Sequence, residues 1–242
     1  MTILDDAAAL RAGDPSGMLV AAARLGADLA AGRRAGLAAG ATPPPAPTSV
    51  VVCGMGGSAV GGDVVRAAFA DRLPVPVEVL RSPTLPAYVG RSTLVVASSF
   101  SGDTAETNVA FDEALARGCR VVAVTSGGRL GTVAADRSLP CARVPAGGQP
   151  RAALGQLAGA LIGILETSGV LREAAGEVDE ATSTLAALAD TLGPGAPTSV
   201  NPAKRVASWI GDRVPLVWGA TGPAAVAADR WRTQMNENAK VP

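Results

Sequence analysis

Two short loops concentrate the residues that can do chemistry. The first is Gly54-Met55-Gly56-Gly57-Ser58-Ala59, which leads from an apolar run straight into a stretch of helical periodicity. Glycines let a backbone approach a phosphate closely, and a helix N-terminus offers unpaired N–H groups and partial positive charge. The same loop fits the dinucleotide fingerprint G-x-G-x-x-A, with Glu78 near the end of the next strand able to hold a ribose. By itself it leaves a sugar phosphate, a nucleotide and a plain tight turn all open. The second loop is Ser98-Ser99-Phe100-Ser101-Gly102-Asp103-Thr104. Ser99, Ser101 and Thr104 cluster where a helix begins, and one N-cap uses only one such residue. The surplus hydroxyls can bind a phosphate dianion with directed donors and no cation. Two phosphate-competent loops on adjacent central strands point to one phosphomonoester pocket shared between them, whereas a dinucleotide enzyme needs only the first.

The elements that must position these loops follow from the hydropathy pattern. Strands are expected at Val50–Cys53, Val75–Leu80, Thr93–Ala97, Arg120–Thr125 and Leu139–Val144. Helices are expected between them at Ser58–Asp71, Asp103–Arg117 and Leu130–Ala135. Short, wholly apolar runs alternating with helices predict an α/β fold, a doubly wound five-stranded parallel sheet covered on both faces. In such sheets ligands sit beyond the carboxyl ends of the strands at the topological switch point, where both loops fall. An Ala-rich helix is expected ahead of the sheet over Ser16–Ala39, then a proline connector at Gly40–Thr48. Beyond it come helices at Pro150–Ser168, Leu171–Leu192 and Thr198–Ile210, a strand at Pro215–Gly219, and a last helix to Lys240. A lone buried-type strand needs neighbours for its backbone groups. It therefore joins the first sheet or starts a second one, and the second reading is favoured. The division expected is residues 1–170 as one domain and 171–242 as a linker helix and an incomplete second domain.

Composition narrows the function classes. The 242 residues include 21 Lys+Arg and 21 Asp+Glu, a formal net charge of zero, and no basic block. That argues against nucleic acid and anionic membranes as partners. There is no histidine, so His-based acid–base catalysis and His-ligated metal are excluded within this chain. Cys53, Cys119 and Cys141 are odd in number and widely spaced, which suits free thiols rather than a disulfide framework or zinc site. The N-terminus is acidic where a signal peptide is basic, and the longest apolar stretch, Ala152–Leu165, is too short to span a bilayer. A cytoplasmic protein is expected. Trp209, Trp218 and Trp231 read as core or interface packing.

Gly54–Ser58 together with Ser99–Thr104 resembles the sugar isomerase (SIS) domain. More narrowly, Pro150–Gly155 and Asn236–Lys240 resemble the bifunctional phosphoglucose/phosphomannose isomerase family, with the four motifs in the family's order. The resemblance implies a flavodoxin-like strand order followed by the start of a second SIS domain. It also implies hexose 6-phosphate as substrate, no cofactor, no metal and a homodimer. Ser58, Ser99, Ser101 and Thr104 match the residues that hold the phosphate, and Gly57 brings its backbone close to the sugar. Arg151 matches the arginine that steadies the enediolate, and Glu237 the base that moves a proton between C1 and C2. On the residues alone, Arg151 is also a surface cation and Glu237 also a helix-surface partner for Lys240, three positions on.

The sequence departs from the family in one respect. Family members continue past the Asn-Glu-Asn-Ala-Lys segment and supply a histidine, from the partner subunit, and a C-terminal lysine, both associated with opening the sugar ring. This chain ends at Pro242 without a histidine. It is therefore expected to be the front part of such a protein, or a shortened one, and to turn over cyclic hexose phosphates poorly alone. Two other classes stay in view: a non-catalytic sugar-phosphate sensor, and a nucleotide-binding enzyme that uses only the first loop.

Overall fold

The central strands form from short β-branched runs that are buried on both faces, while the edge strands are only partly covered. The computed structural model describes residues 2–40 and 45–240. Its strands are β1 (Ser49–Cys53), β2 (Val77–Leu80), β3 (Thr93–Ser98), β4 (Arg120–Thr125) and β5 (Cys141–Arg143). They form one parallel sheet in the order β2-β1-β3-β4-β5, the flavodoxin-like order expected. Alternate side chains serve opposite layers. Val50, Val52, Leu94, Val96, Val122 and Val124 pack on one side. Val51, Cys53, Val95, Ala97, Val121 and Ala123 pack on the other.

The second of these faces is covered by α5 (Ala105–Ala116) and α6 (Gly128–Asp136), through Phe111, Ala114 and Leu130. The first is covered by α4 (Gly56–Ala68) and α7 (Leu154–Thr167), through Val65, Leu157 and Leu161. Cys53 lies within the sheet, and burial pushes its thiol up to about 12, so it is chemically inert. Cys119 and Cys141 are half-buried and also free.

The N-terminal region is three helices, not one: α1 (Ala7–Gly13), α2 (Met18–Ala23) and α3 (Leu25–Ala38). The break at Arg24 is a tight turn whose N–H is shared between the Val20 and Ala21 carbonyls. It lets α2 lie on α8 (Ala175–Leu192) while α3 lies along α7. The α3–α7 contact runs backbone to backbone. A Cβ on Gly32 or Gly36 would stand 2.2 or 2.1 Å from the Gln156 or Ala160 carbonyl. Facing them, a Cβ on Gly155, Gly159 or Gly163 would stand 2.6, 2.1 or 2.4 Å from the Leu25, Leu29 or Arg33 carbonyl. Glycines four apart on both helices make two flat faces.

A forked ion pair closes that contact. Arg33 Nε and Nη2 donate to Glu166 Oε2 and Oε1 at 2.7 and 2.9 Å, and the Ala174 N–H donates to Oε1 at 3.0 Å. Burial alone would raise the Glu166 carboxyl, but these donors outweigh it and hold it below its ordinary 4.5. A depressed carboxylate contributes stability above its unfolded-state value and loses it as pH falls through the folded one. Stability against urea is therefore expected to fall as pH drops below about 4.5, with a shallower decline in Glu166→Gln. An equal slope in both proteins would show that the pair contributes nothing.

The C-terminal part departs from expectation. Helices α9 (Pro202–Ile210) and α10 (Pro223–Gln234) form, but residues 214–220 are not a strand. The segment lies beside no sheet, so its backbone has no ladder partner; Leu216 and Trp218 are 82% and 88% exposed. The tryptophans are not core residues: Trp209 and Trp231 are exposed as well. Residues 41–44 of the expected proline connector lie outside the described residues. Among the described residues no helix is long and apolar enough to cross a membrane.

Candidate functional site

The β2-β1-β3-β4-β5 order puts the switch point between β1 and β3, and both chemistry-bearing loops leave the sheet there. Gly54 is wedged between them: a Cβ on it would stand 3.0 Å from the Ser98 carbonyl. Gly56 takes a left-handed φ of 48°, and α4 then starts with no side-chain cap.

The hydroxyls knit the two loops together. Ser58 is buried, and its Oγ accepts from the Phe100 N–H at 3.2 Å, so it meets the second loop midway between Ser99 and Ser101. Ser98 Oγ donates back to the Ser58 carbonyl at 3.3 Å. Ser99 is fully buried; its Oγ lies 2.9 Å from Thr104 Oγ1 and accepts from the Gly102 N–H at 3.1 Å. Ser101 is exposed and accepts from the Asp103 N–H at 3.2 Å. Thr104 stands at the N-cap of α5, yet its hydroxyl caps nothing and turns to Ser99 instead. All four expected phosphate ligands thus come to one end of the sheet, beside the uncapped N-termini of α4 and α5.

Gly57 brings in the next group. The tight turn Pro150–Ala152, just ahead of α7, lies on it. A Cβ on Gly57 would stand 3.1 Å from the Pro150 carbonyl and 3.5 Å from Arg151 Cα. From the other side α10 packs on α4 and runs into a widened π-turn, Met235–Ala239, that carries Glu237. Arg151 Nη1 stands 3.8 Å from Glu237 Oε2, with the two side chains 18% and 45% exposed. A pair that long and that open adds little stability. It leaves both groups facing the same space.

Neighbours hold the arginine. Its Nε donates to Asn238 Oδ1 at 2.6 Å and its Nη1 to Gln149 Oε1 at 3.2 Å. Its carbonyl accepts from Arg230 Nη2. Lys240 Nζ donates at 2.6 Å to the Glu237 main-chain carbonyl, so the Glu237 carboxylate is directed to Arg151 rather than to Lys240. The sequence reading missed Arg230, Asn238 and Gln149. Arg230 was detectable, since it precedes Glu237 by two helical turns and so shares its face. Glu78, the ribose candidate, accepts from the Tyr88 hydroxyl. Among the described residues no group of three or more Cys, Asp and Glu side chains stands close enough to hold a metal.

Residues 199–242 match a family model described as the bacterial phospho-glucose isomerase C-terminal SIS domain. A bifunctional phosphoglucose/phosphomannose isomerase of Caldicellulosiruptor bescii is 38% identical over 193 residues, covering 80% of this chain and 57% of that protein. By sequence, this chain is similar to the bifunctional phosphoglucose/phosphomannose isomerases. It spans just over half the length of the curated relatives it matches. A further relative, named D-glucosamine-6-phosphate 4-epimerase, from Sulfolobus acidocaldarius, is 30% identical over 191 residues, 78% of this chain and 56% of that one. Among solved structures, a hypothetical protein of Thermus thermophilus superimposes with a TM-score of 0.68 at 21% identity. That superposition covers 91% of this chain and 55% of the other, a likeness of fold.

Proposed function

We propose that this chain carries the phosphate cradle and the proton-transfer pair of an aldose–ketose isomerase. Its substrates would be glucose 6-phosphate, mannose 6-phosphate or both, with fructose 6-phosphate as the ketose. One juxtaposition supports the reading: Arg151, on the turn that rests on Gly57 of the first loop, faces Glu237, on the π-turn after α10, at 3.8 Å. Ser58, Ser99, Ser101 and Thr104 grip the phosphate, and that remote binding energy sets the position of the reacting carbons. Glu237 takes the proton from C2 of the open aldose and returns it to C1. Arg151 stabilises the negative charge that builds on the oxygens of the enediolate. The route requires no metal and no cofactor. Residues 1–170 form the first SIS unit in this reading. Residues 171–242 link it to the start of a second, in a cytoplasmic homodimer.

The name of the epimerase relative shows that chemistry at C4 occurs among this chain's relatives, and a sensor would use the cradle without the pair. The test separates all three. Fructose 6-phosphate has an open-chain fraction in solution, so it needs no ring-opening group. In D2O the protein is expected to introduce deuterium at C1 of fructose 6-phosphate. Binding without any exchange would leave a sensor, and reaction at C4 alone would replace the isomerase with an epimerase.

A further inference from the structure

Arg151 is held from three directions, and two of them come from the C-terminal helix that also carries Glu237. Arg230, on α10, donates to the Arg151 main-chain carbonyl. Asn238, next to Glu237, accepts from Arg151 Nε at 2.6 Å. Gln149 supplies the third contact, to Nη1. Burial lowers the pKa of Arg230 and the nearby Glu237 carboxylate partly offsets this, so Arg230 belongs to the same electrostatic site. A half-buried guanidinium committed to one backbone carbonyl does not work as a surface charge; it fixes that carbonyl in space.

We propose that Arg230 and Asn238 are positioning residues. Arg230 fixes the backbone at Arg151, and Asn238 fixes the plane of its guanidinium. Helix α10 thereby sets the spacing between the arginine and the base it carries itself. This rests on the isomerase reading of the site. The chemical need is specific: an enediolate is planar and spreads its charge over two oxygens. A guanidinium stabilises it fully only when its own plane is set in advance. Held by α10, the two groups keep their relative position through contacts to one helix, rather than through two loops that move independently. The cradle hydroxyls lie on other elements and do not depend on those contacts.

Two probes separate the roles by isothermal titration on the full chain. Inorganic phosphate reads the cradle alone. 5-Phospho-D-arabinonate, whose carboxylate copies the planar charge of the enediolate, reads the cradle and Arg151 together. Arg230→Met and Asn238→Ala are each expected to weaken the arabinonate about 10-fold or more while changing phosphate affinity less than about 2-fold, the loss of one charge-assisted hydrogen bond. Arg230→Lys, which keeps a donor for the carbonyl, is expected to recover most of the affinity. Asn238 is exposed, so its variant tests the idea even if Arg230→Met does not fold. Unchanged arabinonate binding in the variants, or a parallel loss of both probes, would overturn the proposal. A wild-type chain that binds phosphate but gains nothing from the arabinonate carboxylate would remove the isomerase reading itself, and this proposal with it.

Discussion

Glu237→Gln is expected to slow deuterium exchange at C1 of fructose 6-phosphate by about 10²–10⁴-fold, the usual contribution of a general base. Phosphate affinity should stay unchanged. The amide matches the carboxylate in size, so the packing of α10 on α4 survives, but it cannot accept the substrate's proton. It also leaves the Arg151 guanidinium, 3.8 Å away in the native chain, facing a neutral group. Ser101→Ala should show the opposite split. Its exposed hydroxyl accepts only from the Asp103 N–H among the described residues, so its loss should raise the phosphate dissociation constant by about 5–10-fold, roughly one hydrogen bond. Exchange at saturating substrate should barely move. An exchange rate in Glu237→Gln equal to that of the native chain would refute the assignment of the base.

The largest effect on stability is expected from a single methyl group far from the reacting carbons. Gly159→Ala places a Cβ 2.1 Å from the Leu29 carbonyl and 2.7 Å from the Arg33 N–H nitrogen, both backbone atoms of α3. Neither can step aside as a side-chain tip would, so α3 must lift from α7. Overpacking a fitted interior typically costs about 1–3 kcal/mol, and this case lies at or above the upper end. That is a large share of the roughly 5–15 kcal/mol that holds a domain folded. Gly176→Ala is the control. It lies in α8 with nothing within 4 Å of its Cβ, and it should be neutral or stabilise by up to about 1 kcal/mol. Urea midpoints of the two variants should therefore move in opposite directions. A Gly159→Ala midpoint equal to the native one would mean that the two helices are not in register as described.

The sheet was legible because its central strands are buried on both faces, which leaves short, unbroken runs such as Leu94–Val96 with punctuation on either side. The two hydroxyl-bearing loops stood out because their hydroxyls exceeded what one helix cap can use. The segment Pro215–Gly219 is an equally short apolar run but has no ladder partner, and composition cannot report a missing partner. The glycines of α3 and α7 were on view at four-residue spacing, yet the reading sought flexibility and phosphate approach in glycine, not two backbones in contact. Arg230 went unseen because its contact arises only when the Pro150–Ala152 turn lies against it.

Those facing glycines also act as a surveyor's datum. Arg151 stands four residues ahead of Gly155, the first of the row locked onto α3. A slip of one turn between the two helices would carry it about 5.4 Å, more than the whole gap to its acidic partner. The stretch Leu25–Ala38 contributes no atom to the chemistry, yet it fixes where the arginine stands. Trimming the chain ahead of Leu25 should leave that benchmark standing, while trimming past Ala38 should silence a centre that contains none of the residues removed.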